Sequence, residues 1–495
     1  MKNLFKFYPI VIFLIIYLIY SLSIYKLVPI TTDEEARYYW GRDLLDHYKN
    51  SGYLQSFFKP DQEPDTNILY PTILNIFNPD FYYEWFHLQN LLFSSVAFIA
   101  VYFLIFLYTR EPKASILGPI FLFLTPNFSG FLGNNPIDTP FAVVFILNIL
   151  LVYYFRNKGF NFAKVFVLGF SFWPLLSIRP VGAQIFLHFI VLTLLFLPKT
   201  DRIKYLLDEL KNIILIGFVS FFLMVITWPY LAINFFKNYY SILLTNASYD
   251  KWNNTILFEG AKIPGLEAPW YYLFTYLAYT IPFFILFLFV FAIFKNYQNK
   301  LKVFILYIIL FNLSLYLLLD PVIYNGMRHF LFLMPMIVTI ATFGFFDLLK
   351  SKLNQKIKIT FFIGIFSSIV WTLYEIVNLF PNQYAYFNEI SGGFRNNYLK
   401  YETEYWGGSY KFASEYIREN IAPNYNDLKV SSCFIGFGVQ YYAQGKFRHV
   451  IRQSEGDLLI CDVVSEMGIE KHKLGEIVHQ INIHGIPFIN IRKNK

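Results

Sequence analysis

Charge is scarce in this chain. Only 15% of the 495 residues are Asp, Glu, Lys or Arg, 56% are hydrophobic, and the mean hydropathy is +0.43. Soluble domains carry about 25% charged and about 45–50% apolar residues. A soluble protein this apolar could not cover its surface, so the composition points to an integral membrane protein. Cysteine is nearly absent as well. Cys433 and Cys461 are the two present, and neither belongs to a metal-ligand spacing. That excludes a disulfide scaffold and gives no sign of a catalytic thiol. The two either pair in an oxidising compartment or stay as buried thiols in their apolar runs. Short internal repeats and low-complexity linkers are also missing. The net charge of +8 (41 − 33) needs no nucleic acid, because Lys and Arg gathered in cytoplasmic loops give the same sum.

Long apolar runs are plentiful. They fall at about 8–28, 88–108, 115–132, 139–155, 163–178, 181–198, 212–232, 271–294, 303–319, 330–349 and 359–380, which predicts about 11 transmembrane helices. The first follows Lys2 and Lys6 without a small-residue cleavage site and reads as a retained signal anchor. Basic residues cluster after the second, fourth, sixth, eighth and tenth runs, at Arg110, Arg156, Lys199, Lys295 and Lys350 among others. All of these loops fall on the N-terminal side, which is therefore expected to be cytoplasmic. Loop 29–87 and everything past about 380 then lie outside. The predicted organisation is a membrane domain over 1–380, loop 29–87 included, and a soluble extracytoplasmic domain over 381–495. In that tail "LKVSSCFIGFG", "GDLLICDVVSEMG" and "IPFINIRK" read as apolar runs and "EKHKLGEIVHQINIHG" as a helical pattern. The alternation suggests a small α/β domain. Tyr410, Ala413, Tyr416 and Ile417 share one helical face, expected to form an amphipathic helix near the membrane.

The residues able to carry chemistry share the outer side. Asp33 and Glu34 follow the first run almost at once. Either they supply a carboxylate that accepts a proton from a hydroxyl, or they cap a helix over 35–48. Asp138, in "NNPIDTP", lies at the lip of the fourth run, where a carboxylate beside hydrocarbon is costly; its alternative is again a helix cap. Arg179 joins the fifth and sixth runs, and Arg328 and His329 open the tenth. Arg presents a fork that matches phosphate oxygens. The alternatives are contact with lipid headgroups, a pair between Arg328 and Asp320, and a satisfied interfacial histidine. Lys59 is a weaker candidate, and the sequon at Asn253 reads as chance in an Asn-rich chain. Taken together, two carboxylates and two or three cations converge at the depth of a lipid phosphate.

This layout resembles the GT-C superfamily of glycosyltransferases, the group of protein O-mannosyltransferases and lipid A aminoarabinose transferases (glycosyltransferase family 39-like). Its acidic first outer loop is matched by Asp33-Glu34, its second acid by Asp138, and its Arg-His-rich late span by "RHFLFLMP". The stretch "FPNQYAYFNEISGGFRNNYLKYETEYWGGSYKFASEYI" is similar to the segment after the last span of bacterial members. No β-trefoil insertion is present, and the tail carries no recognisable carbohydrate-binding motif. The resemblance implies an inverting transfer from a polyprenyl-phosphate sugar to a glycan, lipid or protein acceptor, with no nucleic acid involved. It makes Asp33 the general base, Glu34 or Asp138 an orienting group, and Arg328, Arg179 and His329 the holders of phosphate. No cofactor is expected, although Asp33, Glu34 and Asp138 could hold a hard divalent ion. The competing reading is a polytopic transporter or lipid flippase. That class places ionisable residues near the bilayer midplane and shows repeated halves, and this chain displays neither pattern.

Overall fold

A computed structural model describes residues 5–51, 69–247, 254–467 and 475–494. Lys59 and Asn253 lie outside the described residues. Every apolar run is helical in whole or part. Among the described residues, six helices are long and apolar enough to cross a membrane: Tyr83–Thr109, Asp138–Lys158, Arg202–Thr227, Lys300–Leu319, Arg328–Leu349 and Gln355–Leu379. Four further apolar helices are shorter: Tyr8–Ile24, Ala114–Phe123, Phe162–Ile178 and Pro180–Leu195.

Two runs depart from the simple spans expected, and proline is the reason in each. The run over 115–132 stops at Phe123, and a separate turn of helix starts at Pro126 after extended Thr125. The run over 271–294 is bent by 110° between Tyr272–Thr280 and Phe283–Ile293. Ile281, directly before Pro282, is extended there. Proline lacks an N–H and disfavours helical geometry in the residue before it, so each helix must end or break.

Burial sorts the helices into an inner and an outer set. The Asp138–Lys158 and Met334–Lys350 helices are enclosed on nearly all sides. The Arg202–Thr227 and Gln355–Leu379 helices leave Phe218, Phe222, Ile363, Phe366 and Val377 exposed. A helix apolar on its outward face is matched to hydrocarbon rather than to water. The basic loops expected on one side do meet at one end. The Tyr108 hydroxyl donates to Asp347 (2.6 Å), Asn296 donates to Tyr108 (3.0 Å), and Lys302 pairs with Asp347 (3.2 Å). Arg156 pairs with Glu209 (3.4 Å), and Arg156 and Lys300 both lie over the Phe196 ring.

At the other end the tail packs down. Residues Tyr384 to Trp406 contribute to the main core of the bundle, joined by Tyr442, Ile483 and Phe488, whereas most buried apolar residues from Tyr410 onward build a second core. That second core covers a five-stranded sheet of β3 (Lys429–Ser432), β4 (Arg448–His449), β5 (Leu458–Asp462), β6 (Ile477–Ile483) and β7 (Ile486–Lys493). A separate hairpin, β1 (Thr255–Phe258) and β2 (Ala261–Pro264), precedes it in the chain. The sheet order is β4-β3-β5-β7-β6, with β3 parallel to β4 and β5, and β7 antiparallel to β5 and β6.

Three tail expectations are corrected or decided. Residues 477–483 are a strand, not part of a helix. His484 and Gly485 both have positive φ (54° and 72°), a two-residue turn whose twist suits a hairpin, and β-branched residues fill β6. Tyr410, Ala413 and Ile417 do share a face, but it packs on Val430, Val439 and Ile460 rather than on lipid. Cys433 and Cys461 are joined by a disulfide that ties the end of β3 to β5.

Candidate active site

Asp33 and Glu34 are neighbours with different fates. The Thr32–Ser51 helix begins with three acids in its first turn, where the exposed N–H groups favour negative charge. The tail steadies that start: Thr32 donates from its backbone N–H and its hydroxyl to the Trp406 carbonyl (both 3.1 Å). Glu34 turns inward. It accepts the Thr31 N–H (2.7 Å) and the Thr31 hydroxyl (3.2 Å), which satisfies a free donor at the helix start, and its other oxygen meets His87 Nε2 (2.9 Å). Burial raises the Glu34 carboxyl above its usual range, opposed by His87. Of the two acids expected to orient a substrate, Glu34 is sealed beneath the helix start. Asp33 faces the other way and pairs with Arg328.

Asp138 is the first residue of its helix. Its preceding turn is fixed by Asn135, whose side-chain oxygen accepts the Asp138 N–H (2.7 Å) and whose amide donates to Asp138 Oδ2 (3.1 Å). The carboxylate does not cap the helix. Asp138 Oδ1 pairs with Arg179, and Oδ2 lies 3.6 Å from Arg328 Nε. Arg179 is extended between the Phe162–Ile178 helix and Pro180, which aims it across the helix ends. Four residues from four parts of the chain thus form one chain of charge, Asp33–Arg328–Asp138–Arg179. Arg328 does not pair with Asp320. Its guanidinium lies 5.1 Å from the Trp406 ring and 5.4 Å from Tyr324. His329 stands beside it, with Nε2 3.4 Å from an Arg328 nitrogen and its ring edge-on to Tyr324 (4.6 Å).

Above this chain lies a cavity of about 470 Å³. Asp33 and Arg328 line it, and Asp138, Arg179, Glu34 and His329 are not among its lining residues. Residues that sequence reading missed complete the wall: Glu402, Glu404 and Tyr405 from the segment after the last span, Asp462 and Phe434 from beside the disulfide, and Lys262 from β2. Only the stretch "YETEYWGG" held a signal for any of them. Burial pushes Glu402 and Glu404 up to about 7. Burial also raises Asp462 and lowers Lys262, with Asp462 partly offsetting the latter. Glu404 accepts the N–H groups of Gly407 (2.6 Å) and Ser409 (3.3 Å), and Asp462 accepts the Tyr410 hydroxyl (2.9 Å) and the Ser465 N–H (2.7 Å). Gly407 has φ +78°, which explains a glycine after Trp406.

A divalent ion shared by Asp33, Glu34 and Asp138 does not suit this arrangement. Asp33 and Asp138 sit on arginines, and Glu34 sits on His87. Among the described residues no group of three or more His, Cys, Asp or Glu side chains is placed to hold a metal ion.

Neither a protein-family model nor a curated protein matches the chain. Solved structures do. ArnT from Cupriavidus metallidurans in the apo state superposes with a TM-score of 0.53 at 9% identity, over 97% of each chain. ArnT from the same organism bound to undecaprenyl phosphate gives 0.48 at 9% identity, over 97% of this chain and 98% of that one. An Archaeoglobus fulgidus oligosaccharyltransferase in complex with Zn and sulfate gives 0.44 at 10% identity, over 92% and 68%. At 9% identity the likeness to apo ArnT is one of fold alone. This chain, a helical bundle followed by a small sheet domain, has the fold of that structure.

Proposed function

We propose that this protein is a membrane glycosyltransferase that moves a sugar from a polyprenyl-phosphate donor to an acceptor on the extracytoplasmic side. The observation that carries the reading is the Asp33–Arg328–Asp138–Arg179 chain beside the cavity, at the end of the bundle opposite the basic loops. The basic loops make their own end cytoplasmic, so the cavity opens outside, in a multi-pass protein of the plasma membrane with a cytoplasmic N-terminus. The GT-C fold supports the reaction class.

In this reading an acceptor hydroxyl or amine attacks the anomeric carbon of the donor from the face opposite the phosphate. The bond from that carbon to the phosphate oxygen breaks, and its electron pair leaves with polyprenyl phosphate. Configuration at the sugar inverts. Asp33 takes the acceptor proton. Arg328 exchanges part of its contact with Asp33 for the phosphate and stabilises the charge that develops there, with Arg179 behind it. Asp138 orients both guanidinium groups. The reaction needs no metal in this scheme. The acceptor is a glycan, lipid or protein component of the cell envelope.

The test incubates purified protein with labelled polyprenyl-phosphate sugars and a cell-envelope fraction. Label should move to acceptor, and Asp33→Asn should abolish the movement. Wild-type turnover in Asp33→Asn would remove Asp33 from the base role. Movement of intact donor across a vesicle membrane without transfer would favour a flippase.

A further inference from the structure

The carboxyl of Glu402 touches the backbone of the segment that delivers Arg328. That segment, Tyr324 to Arg328, turns through Asn325 and Gly326, both with positive φ (58° and 67°). A non-glycine residue such as Asn325 adopts that region at a cost unless its surroundings hold it. Glu402 is the holding group. Glu402 Oε2 accepts the Gly326 N–H (3.1 Å) and the Tyr272 hydroxyl (2.7 Å), and the Asn325 N–H adds a further hydrogen bond. The Glu402 N–H in turn donates to the Tyr276 hydroxyl (3.1 Å), and the Gly326 N–H also donates to the Tyr272 hydroxyl (3.0 Å). A β-carbon on Gly326 would come within 3.2 Å of the Tyr276 ring, so the turn fits closely against the same helix. Two residues further on, Arg328 emerges with its guanidinium between Asp33 and Asp138.

We infer that Glu402 is a positioning residue, which locks the Tyr324–Arg328 turn in the shape that presents Arg328 to the donor phosphate. The inference rests on the proposed role of Arg328 and deepens it. Glu402 itself need not touch the donor. Its part is to keep two left-handed residues in place so that a long, flexible arginine starts from a fixed point. Buried polar groups make this lock specific: without the carboxyl, the Tyr272 phenol and the Asn325 N–H lose its acceptor oxygen, and the Gly326 N–H is left with the Tyr272 hydroxyl alone.

The experiment measures binding of undecaprenyl monophosphate to the purified full chain in detergent, with thermal unfolding recorded for each variant. Arg328→Ala should weaken binding at least tenfold. Glu402→Ala should weaken it about as much, although Arg328 is intact. Glu402→Gln keeps one acceptor oxygen for the turn and should recover most of the lost affinity. Tyr272→Phe removes one donor, preserves the ring, and should weaken binding two- to fivefold, which decides the matter if Glu402→Ala fails to fold. Unchanged binding in Glu402→Ala or in Tyr272→Phe, beside a loss in Arg328→Ala, overturns the inference and leaves the proposed function standing. Wild-type protein that binds no undecaprenyl phosphate, or Arg328→Ala that binds it like wild type, overturns the proposed function and this inference with it.

Discussion

Arg328 and Asp33 are 295 residues apart in the chain and form an ion pair beside the cavity. One opens a late membrane helix, and the other begins the first helix outside the first apolar run. The pair joins the group expected to hold phosphate to the group expected to take a proton. Asp33 is also the more accessible partner, with 26% of its side chain exposed against 5% for Arg328. An acceptor can reach the acid while the guanidinium stays in a drier setting, where its charge acts more strongly.

Asp33→Asn should lower transfer about 10²–10⁴-fold, the usual worth of a general base. Binding of undecaprenyl phosphate should change less than tenfold, because Arg328 remains. Turnover and binding measured on the same preparation separate the two effects.

Arg328→Ala should lower turnover about 10²–10³-fold, in the range found when one group that stabilises developing charge is removed. Arg328→Lys should recover little. An ammonium cannot bridge two carboxylates and a phosphate as a planar fork can. Steady-state kinetics with a labelled donor would check both variants.

Glu34→Ala should act on stability and not on chemistry. It leaves the Thr31 N–H and His87 Nε2 without their partner, a loss of roughly 2–6 kcal/mol at about 1–3 kcal/mol per orphaned group. Thermal unfolding should shift down, while turnover per folded molecule stays within about threefold. A large fall in turnover at unchanged stability would return Glu34 to the reacting centre.

Glu402 and Glu404 are pushed up to about 7 from an ordinary value of 4.5. A carboxyl that holds its proton more tightly when folded stabilises the protein at low pH. That stability is complete below about 4.5 and is lost as pH rises through about 7, because the folded state then binds more protons than the unfolded one. Each group should contribute on the order of 3 kcal/mol over this window. Wild type should lose stability relative to Glu404→Gln as pH is raised from 4.5 to 7.5. Parallel unfolding curves across that range would contradict the assignment.

Replacing Cys433 and Cys461 by serine should cost about 3 kcal/mol, given the 28 residues of sequence separation that the bridge closes. Phe434 and Asp462 line the cavity directly beside the bridge, so donor or acceptor affinity should fall as well. Limited proteolysis with and without reductant would show whether the tail opens first.

Much of the site was legible in the sequence, and the reason is local. Asp33 and Asp138 follow or open apolar runs, and Arg179 and Arg328 stand at helix boundaries on the side where basic residues are rare. Hydropathy and charge alternation place all four at one end without any knowledge of packing. The helical runs were legible for the same reason, since some twenty apolar residues in a row leave few alternatives. Proline breaks at Pro126 and Pro282 were harder to read, because a proline can kink a helix or end it, and packing decides which.

Composition and periodicity determined that the chain lives in a membrane, which end carries the charged loops, and which acids and arginines gather at the other. Only the tertiary structure decided how adjacent carboxylates divide their work. Asp33 and Glu34 are one bond apart in sequence, yet the helix turns them about 100° from each other. One reaches the cavity, and the other is buried on His87. Tertiary structure also decided that Glu402, Glu404 and Asp462 wall the cavity and that 477–483 is a strand. The cavity wall depends on contacts between segments far apart in the chain, which local sequence does not encode.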